Sequence, residues 1–263
     1  MENISRQIDL SMVAMTKHFY IIALLVCASG LALSQVFPAD SPSADEVIAR
    51  MFARDSVRES MQGGYVGSRE YTLDNKRFDK RATMTVAIFG DPDGTKHFQV
   101  VSEEGWKGAN KHVFHKMLES ESDSSIPGIR PKTRIVPENY EFSLVGSEII
   151  GGRPAYVIEA TPKRSDRYLF RGRIWVDAED YALVRVEGQP AKNPSFWIHS
   201  VHFVQEYHKT GPFWFPASTT SVTDARIFGP TLVSIRYFDY RAASGSFHPS
   251  PNSTPLEAHY VQH

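Results

Sequence analysis

From Tyr65 onward, apolar and polar residues alternate with period two in segment after segment, and short turns separate the segments. Period two is the signature of strands with one buried face. Tyr65 to Leu73 and Lys80 to Phe89 are joined through Asp74-Asn75. Within the second, Met84, Val86 and Ile88 share one face while Thr83 and Thr85 take the other. Asp91-Pro92-Asp93-Gly94 is a turn signal, and Lys96 to Ser102 is the return strand. A second run gives strands over 140–150, 154–161, 168–177, 181–187, 196–207, 213–224 and 227–240. Connections this short favour antiparallel neighbours. About ten strands with only two helical stretches exclude a doubly wound α/β fold.

The helices are read from spacing. Ser43 and Glu46 form a capping box, and Val47, Ile48, Met51 and Phe52 recur at helical spacing, which predicts a helix over 45–60. Val113, Phe114, Met117 and Leu118 predict a second over 109–119. Residues 120–139 are polar and broken by Pro127, Pro131 and Pro137, and read as a linking excursion.

Ahead of these elements, Lys17 and His18 precede an apolar run from Phe19 that extends to Leu33. Ala32-Leu33-Ser34 then supplies small residues for a cleavage site before Gln35. The run is about fifteen residues where a spanning helix needs about twenty, so residues 1–34 read as a signal peptide. Its start is either Met1 or Met15. The only cysteine, Cys27, falls inside this segment and follows Val26 rather than a small residue, so lipidation is not expected and the exported chain has no thiol. The remaining organisation is a Pro/Ser-rich linker over 35–44, one domain over 45–241 and a loose tail over 242–263. The expected location is the periplasm.

The chain carries a formal net charge of -1 over 263 residues, with no basic stripe for nucleic acid. It lacks the G-x-S-x-G elbow, the phosphate-binding glycine loops and H-E-x-x-H. His112 and His115 stand at i,i+3 on the second helix, a spacing common by chance. His199 and His202, three apart on a strand, point to opposite faces. Asp177, Glu179 and Asp180 are better explained by hairpin-turn chemistry than by a metal. No cofactor, metal site or catalytic group is expected.

Four stretches carry a resemblance: Asn139 to Glu148, Gly152 to Glu159, Arg173 to Asp180 and Gly188 to Trp197, with the early helix around Asp45 to Met51. In order and spacing they are similar to the outer-membrane lipoprotein-sorting proteins of the LolA/LolB-like group. The resemblance implies a mainly β (α+β) fold. In it a strongly curved antiparallel sheet forms an unclosed half barrel of about ten strands, with two helices over the concave side. It also implies a monomeric periplasmic carrier that holds lipoprotein acyl chains or other lipid and delivers them to the outer membrane. Candidate cavity residues are Met84, Val86, Ile88, Phe142, Leu144, Ile174, Val176, Val201 and Phe203. For each, ordinary sheet–helix core is an equally open reading. Val47, Ile48, Met51 and Phe52 are the candidate lid residues. Two alternatives stand beside the carrier: a periplasmic sensor or interaction protein of the same fold acting on a membrane partner, and an envelope hydrolase.

Overall fold

The computed structural model describes residues 42–193, 198–227 and 229–243. The expected signal peptide, the linker up to residue 41 and the tail from 244 lie outside the described residues.

The first helix, α1 (Ala44–Gln62), begins where the capping box places it. Ser43 Oγ accepts from the Glu46 backbone N–H at 3.2 Å, and the Ser43 N–H donates to the Glu46 carboxylate at 2.8 Å. Gly63 ends the helix at φ 62°, the left-handed cap that glycine adopts without strain. Three strands follow: β1 (Tyr65–Asn75), β2 (Lys80–Gly90) and β3 (Lys96–Gly105). The second helical segment runs as α2 (Lys107–Ala109), a π turn (Asn110–Phe114) and α3 (His115–Ser125). Seven strands complete the order: β4 (Tyr140–Ile150), β5 (Arg153–Pro162), β6 (Phe170–Asp177), β7 (Leu183–Pro190), β8 (Ile198–Thr210), β9 (Phe213–Ala225) and β10 (Gly229–Ala242).

All ten strands form one antiparallel sheet in the order β3-β2-β1-β10-β9-β8-β7-β6-β5-β4. β3 and β4 do not pair with each other, so the sheet curves into a half barrel without closing. Bulges interrupt the ladder within β3, β4, β7, β8, β9 and β10, each adding local bend and twist. The sharpest approach is at the paired glycines Gly172 and Gly188, where a Cβ on Gly172 would stand 2.0 Å from the Glu187 carbonyl oxygen. Only glycine allows that bend.

One face of the sheet carries two apolar clusters, each closed by a helix. α1 sets Val47, Ile48 and Met51 against Ile158, Ile174 and Val176. The second helical segment sets Phe114 and Leu118 against Tyr71, Met84 and Val86. Between them β8 and β9 present half-buried residues, among them Phe203, Thr219 and Ser221. A smaller cluster of Ala155, Val157, Trp175 and Val184 lies on the opposite face of β5–β7.

The second helix is longer than its sequence pattern predicts. Residues 120–125, read as the start of a polar excursion, are its last turns. Their serines turn inward to the backbone: Ser124 Oγ donates to Glu121 O at 2.9 Å and Ser125 Oγ to Ser122 O at 2.7 Å. Ser125 Oγ also accepts from the Lys96 N–H at 3.0 Å, which ties the helix end to β3. Local hydrogen bonding of this kind hides a helical turn behind a loop-like composition.

Candidate functional site

The strand ends at Tyr65, Gly90, Lys96, Leu183, Thr210 and Phe213 gather at one end of the half barrel. There the second half of α1 and the segment 130–135 lie over the sheet and leave a cavity of about 510 Å³. Its apolar wall comes from Met51 and Phe52 on α1, Ile135, Leu183 on β7, and Phe213 and Trp214 on β9. Its rim is charged in both signs. Arg58 pairs with Asp55 at 2.8 Å, Arg130 with Glu59 at 2.7 Å, and Arg134 lies 3.6 Å from Glu59 with its guanidinium 4.7 Å above the Phe52 ring. Arg130 also donates to Asp93 O at 3.1 Å, which fixes the 130–135 segment against the β2–β3 turn.

Two polar groups stand inside this wall. Tyr207 on β8 makes no hydrogen bond through its hydroxyl among the described residues, and burial pushes its pKa up. Burial also raises the Asp55 carboxyl to about 6, against the pull of Arg58. Because the folded-state value is raised, the ionised form is disfavoured in the folded chain. Stability therefore falls as pH rises from 3.8 through about 6. The expected result is that Asp55→Asn gains thermal stability relative to wild type between pH 4 and pH 7. A melting-temperature difference that stays flat over that range contradicts the assignment.

A second polar cluster adjoins the cavity at Lys96. Arg69 projects from β1 into the inner face and is only 3% exposed. Its guanidinium forks onto Glu121 of α3 at 2.6 and 3.0 Å, while its remaining N–H groups donate to the Tyr71 and Tyr240 hydroxyls at 3.2 and 2.8 Å. Lys96 reaches the same carboxylate at 2.7 Å. Burial opposes the charge on Glu121, but the two cations outweigh it and hold the carboxyl well below the usual carboxylate range. This triad fastens the second helix to the sheet.

Of the residues singled out from sequence, Met51 and Phe52 line the cavity. Val47, Ile48, Ile174 and Val176 pack beneath α1, with Phe142, Leu144 and Phe203 half-buried at the margin of that cluster. Met84 and Val86 pack beneath the second helical segment, and Ile88 is fully buried on the same strand face. Val201 is half-buried opposite Thr223. Asp55, Tyr207, Leu183 and the 130–135 segment escaped the sequence reading, because nothing in period or spacing shows which end of a strand a cavity occupies.

The histidines and acidic residues have local partners. His115 meets Glu103, His202 lies 3.4 Å from Glu187, and His112 and His199 are exposed. Asp177 accepts from the backbone N–H groups of Glu179 and Asp180 and pairs with Arg153 at 2.6 Å, as turn chemistry requires. No cluster of three or more metal-ligating side chains occurs among the described residues. No helix among them is long and apolar enough to cross a membrane.

Fold and cavity together define an open half-barrel with a helix-covered inner face. A family described only as being of unknown function, DUF5686, matches residues 134–240. No curated protein matches the chain. Similar solved structures include a DUF1329 family protein from Desulfovibrio piger, 11% identical with a TM-score of 0.42, covering 79% of this chain and 96% of that one. A putative outer membrane lipoprotein-sorting protein domain from Vibrio parahaemolyticus is 13% identical with a TM-score of 0.41, covering 78% and 95%. A LolA superfamily protein from Nitrosomonas europaea is 10% identical with a TM-score of 0.36, covering 78% and 96%.

Proposed function

We propose that this chain is an exported, periplasmic binding protein that holds a lipid-like amphiphile without covalent chemistry and carries it toward the outer membrane. The observation that carries the reading is the cavity of about 510 Å³, with apolar side chains on its wall and ion pairs on its rim. That volume lies in the range of about 300–1,000 Å³ typical of small-molecule sites. An acyl chain fits the wall and a polar head fits the rim.

The energetics suit a carrier. Each methylene removed from water contributes about 0.8 kcal/mol, so about ten of them supply roughly 8 kcal/mol, enough for capture but not for irreversible retention. α1 already occupies the inner face with Val47, Ile48 and Met51. A longer chain extends toward Phe142, Leu144 and Phe203 only by displacing that helix, and this competition lowers the net affinity. α1 is held at its outer side by a few polar contacts: Arg50 donates to the Tyr181 hydroxyl at 2.7 Å, and Arg58 to the Tyr181 and Asp180 carbonyls.

Titration of the protein with a fluorescent fatty-acid analogue tests the proposal. The expected result is saturable binding of one probe per chain, displaced by unlabelled palmitate. Probe fluorescence that rises without saturation, or not at all, overturns it.

A further inference from the structure

The end of the half barrel away from the cavity has a different surface, and no part of the proposed function uses it. Two hairpin turns, the β1–β2 turn (residues 76–79) and the β9–β10 turn that begins at residues 226–227, meet there. Asn75 Nδ2 donates to Thr231 Oγ1 at 2.7 Å across the two hairpins, and Asn75 Oδ1 accepts from the Phe78 N–H at 3.0 Å to shape the first turn. A Cβ on Gly229 would lie 3.3 Å from Arg77 Cδ, so the turns are in contact. Their tips hold large apolar side chains out to solvent: Phe78 is 46% exposed and Ile227 52%.

Around those tips the surface is basic. Lys76, Arg77, Lys80 and Arg81 are all exposed on the first turn and the start of β2, as is Arg226 on the second turn. The N-terminus of the second helical segment abuts them, because the Trp106 N–H donates to Arg81 O at 2.7 Å. It adds Lys107 and Lys111, also exposed, and half-buried Trp106. Against these seven cations stand Asp74, Asp79, Glu104 and Asp224. The cavity end is mixed instead: Asp91, Asp93, Asp177, Glu179 and Asp180 stand there beside Arg58, Lys96, Arg130, Arg134, Arg153 and Lys209, many of them in ion pairs.

We infer that this basic, apolar-tipped end docks onto an anionic lipid bilayer, with Phe78 and Ile227 entering the interface and the surrounding lysines and arginines meeting the head groups. Exposed aromatic and aliphatic tips within a ring of cations match the two terms of interfacial binding, apolar burial and attraction to anionic lipid. Turn tips suit the role because they enter the interface without unpairing any sheet hydrogen bond. β1 has eleven residues, about 35 Å of strand, so docking leaves the cavity mouth on the side away from the bilayer. The inference does not depend on the cavity holding lipid.

The test places an environment-sensitive fluorophore at single cysteines in a Cys27→Ser background: Phe78→Cys, Ile227→Cys, and Glu179→Cys as the control at the opposite end. The full chain is mixed with vesicles of equimolar phosphatidylglycerol and phosphatidylcholine, or of phosphatidylcholine alone. A local probe separates tip insertion from any tethering by the N-terminal apolar segment. The expected result is a blue-shifted rise at positions 78 and 227 with the anionic vesicles and none at 179. Combining Lys76→Glu with Lys80→Glu, or raising salt to about 0.5 M, where charge screening is strong, is expected to increase the lipid needed for half-maximal signal about tenfold. An unchanged signal at 78 and 227, an equal response at 179, or an equal response to phosphatidylcholine alone overturns the inference. Fatty-acid binding that survives in the doubly charge-reversed variant shows that such a failure is not a failure of the cavity.

Discussion

Replacing Glu121 by alanine is expected to lower the stability of the folded chain by about 3–5 kcal/mol, the cost of leaving a buried charge without its partner. Arg69 has no route to water at 3% exposure, and the two tyrosine hydroxyls it also contacts cannot neutralise it. In a domain of about 200 residues this corresponds to a fall in melting temperature of roughly 10 °C. The effect depends on pH in a definite direction. The folded-state pKa of Glu121 lies below the ordinary 4.5, so its stabilisation is present above that pH and is lost as pH falls through the folded-state value. Glu121→Gln should therefore flatten the acid limb of the stability curve that the wild type shows below about pH 4.5. Thermal melts across that range read both effects. A melting temperature within a degree or two of wild type for Glu121→Ala would mean that the triad does not hold the helix to the sheet.

The second large effect concerns ligand more than stability. Leu183 lies at the start of β7, half-buried, with its side chain on the cavity wall. An ionised carboxylate there faces the position of an acyl chain, and burying such a group against hydrocarbon is strongly unfavourable. Leu183→Asp is expected to weaken binding of the fluorescent fatty-acid analogue by at least about tenfold, while its half-buried place at the margin of the α1 cluster limits the loss of stability to a smaller effect. Equal losses in both would identify Leu183 as core. Unchanged binding would place the ligand elsewhere.

Much of the fold is written in local pattern. Alternation along β2 puts Met84, Val86 and Ile88 on one face, and the sheet buries that face. Ser43 and Glu46 announce the start of α1 and make both halves of the capping box. The limits have physical causes. Period two identifies the buried face of a strand but not the position along it where covering helices stop. The candidate residues near strand centres are mostly packed beneath α1 and the second helical segment, whereas the cavity opens where strands end, at Tyr65, Leu183 and Phe213. Met51 and Phe52 line it because their helix continues past the packed cluster toward Gly63. Nor does local pattern announce Arg69 and Glu121 as a pair: they are 52 positions apart, one on a strand face and one in a turn of helix disguised by serines. A cation on the inner face of a strand looks unfavourable until the carboxylate that meets it is known.

The most direct measurement is of what the protein carries when purified from its native host under non-denaturing conditions. Solvent extraction and lipid mass spectrometry should find an acyl-bearing amphiphile near one per chain in the wild type, and markedly less in Leu183→Asp isolated in parallel. If the wild type proves lipid-free and also fails to take up added palmitate, the space beneath α1 and residues 130–135 is not a lipid site, and the carrier account is wrong.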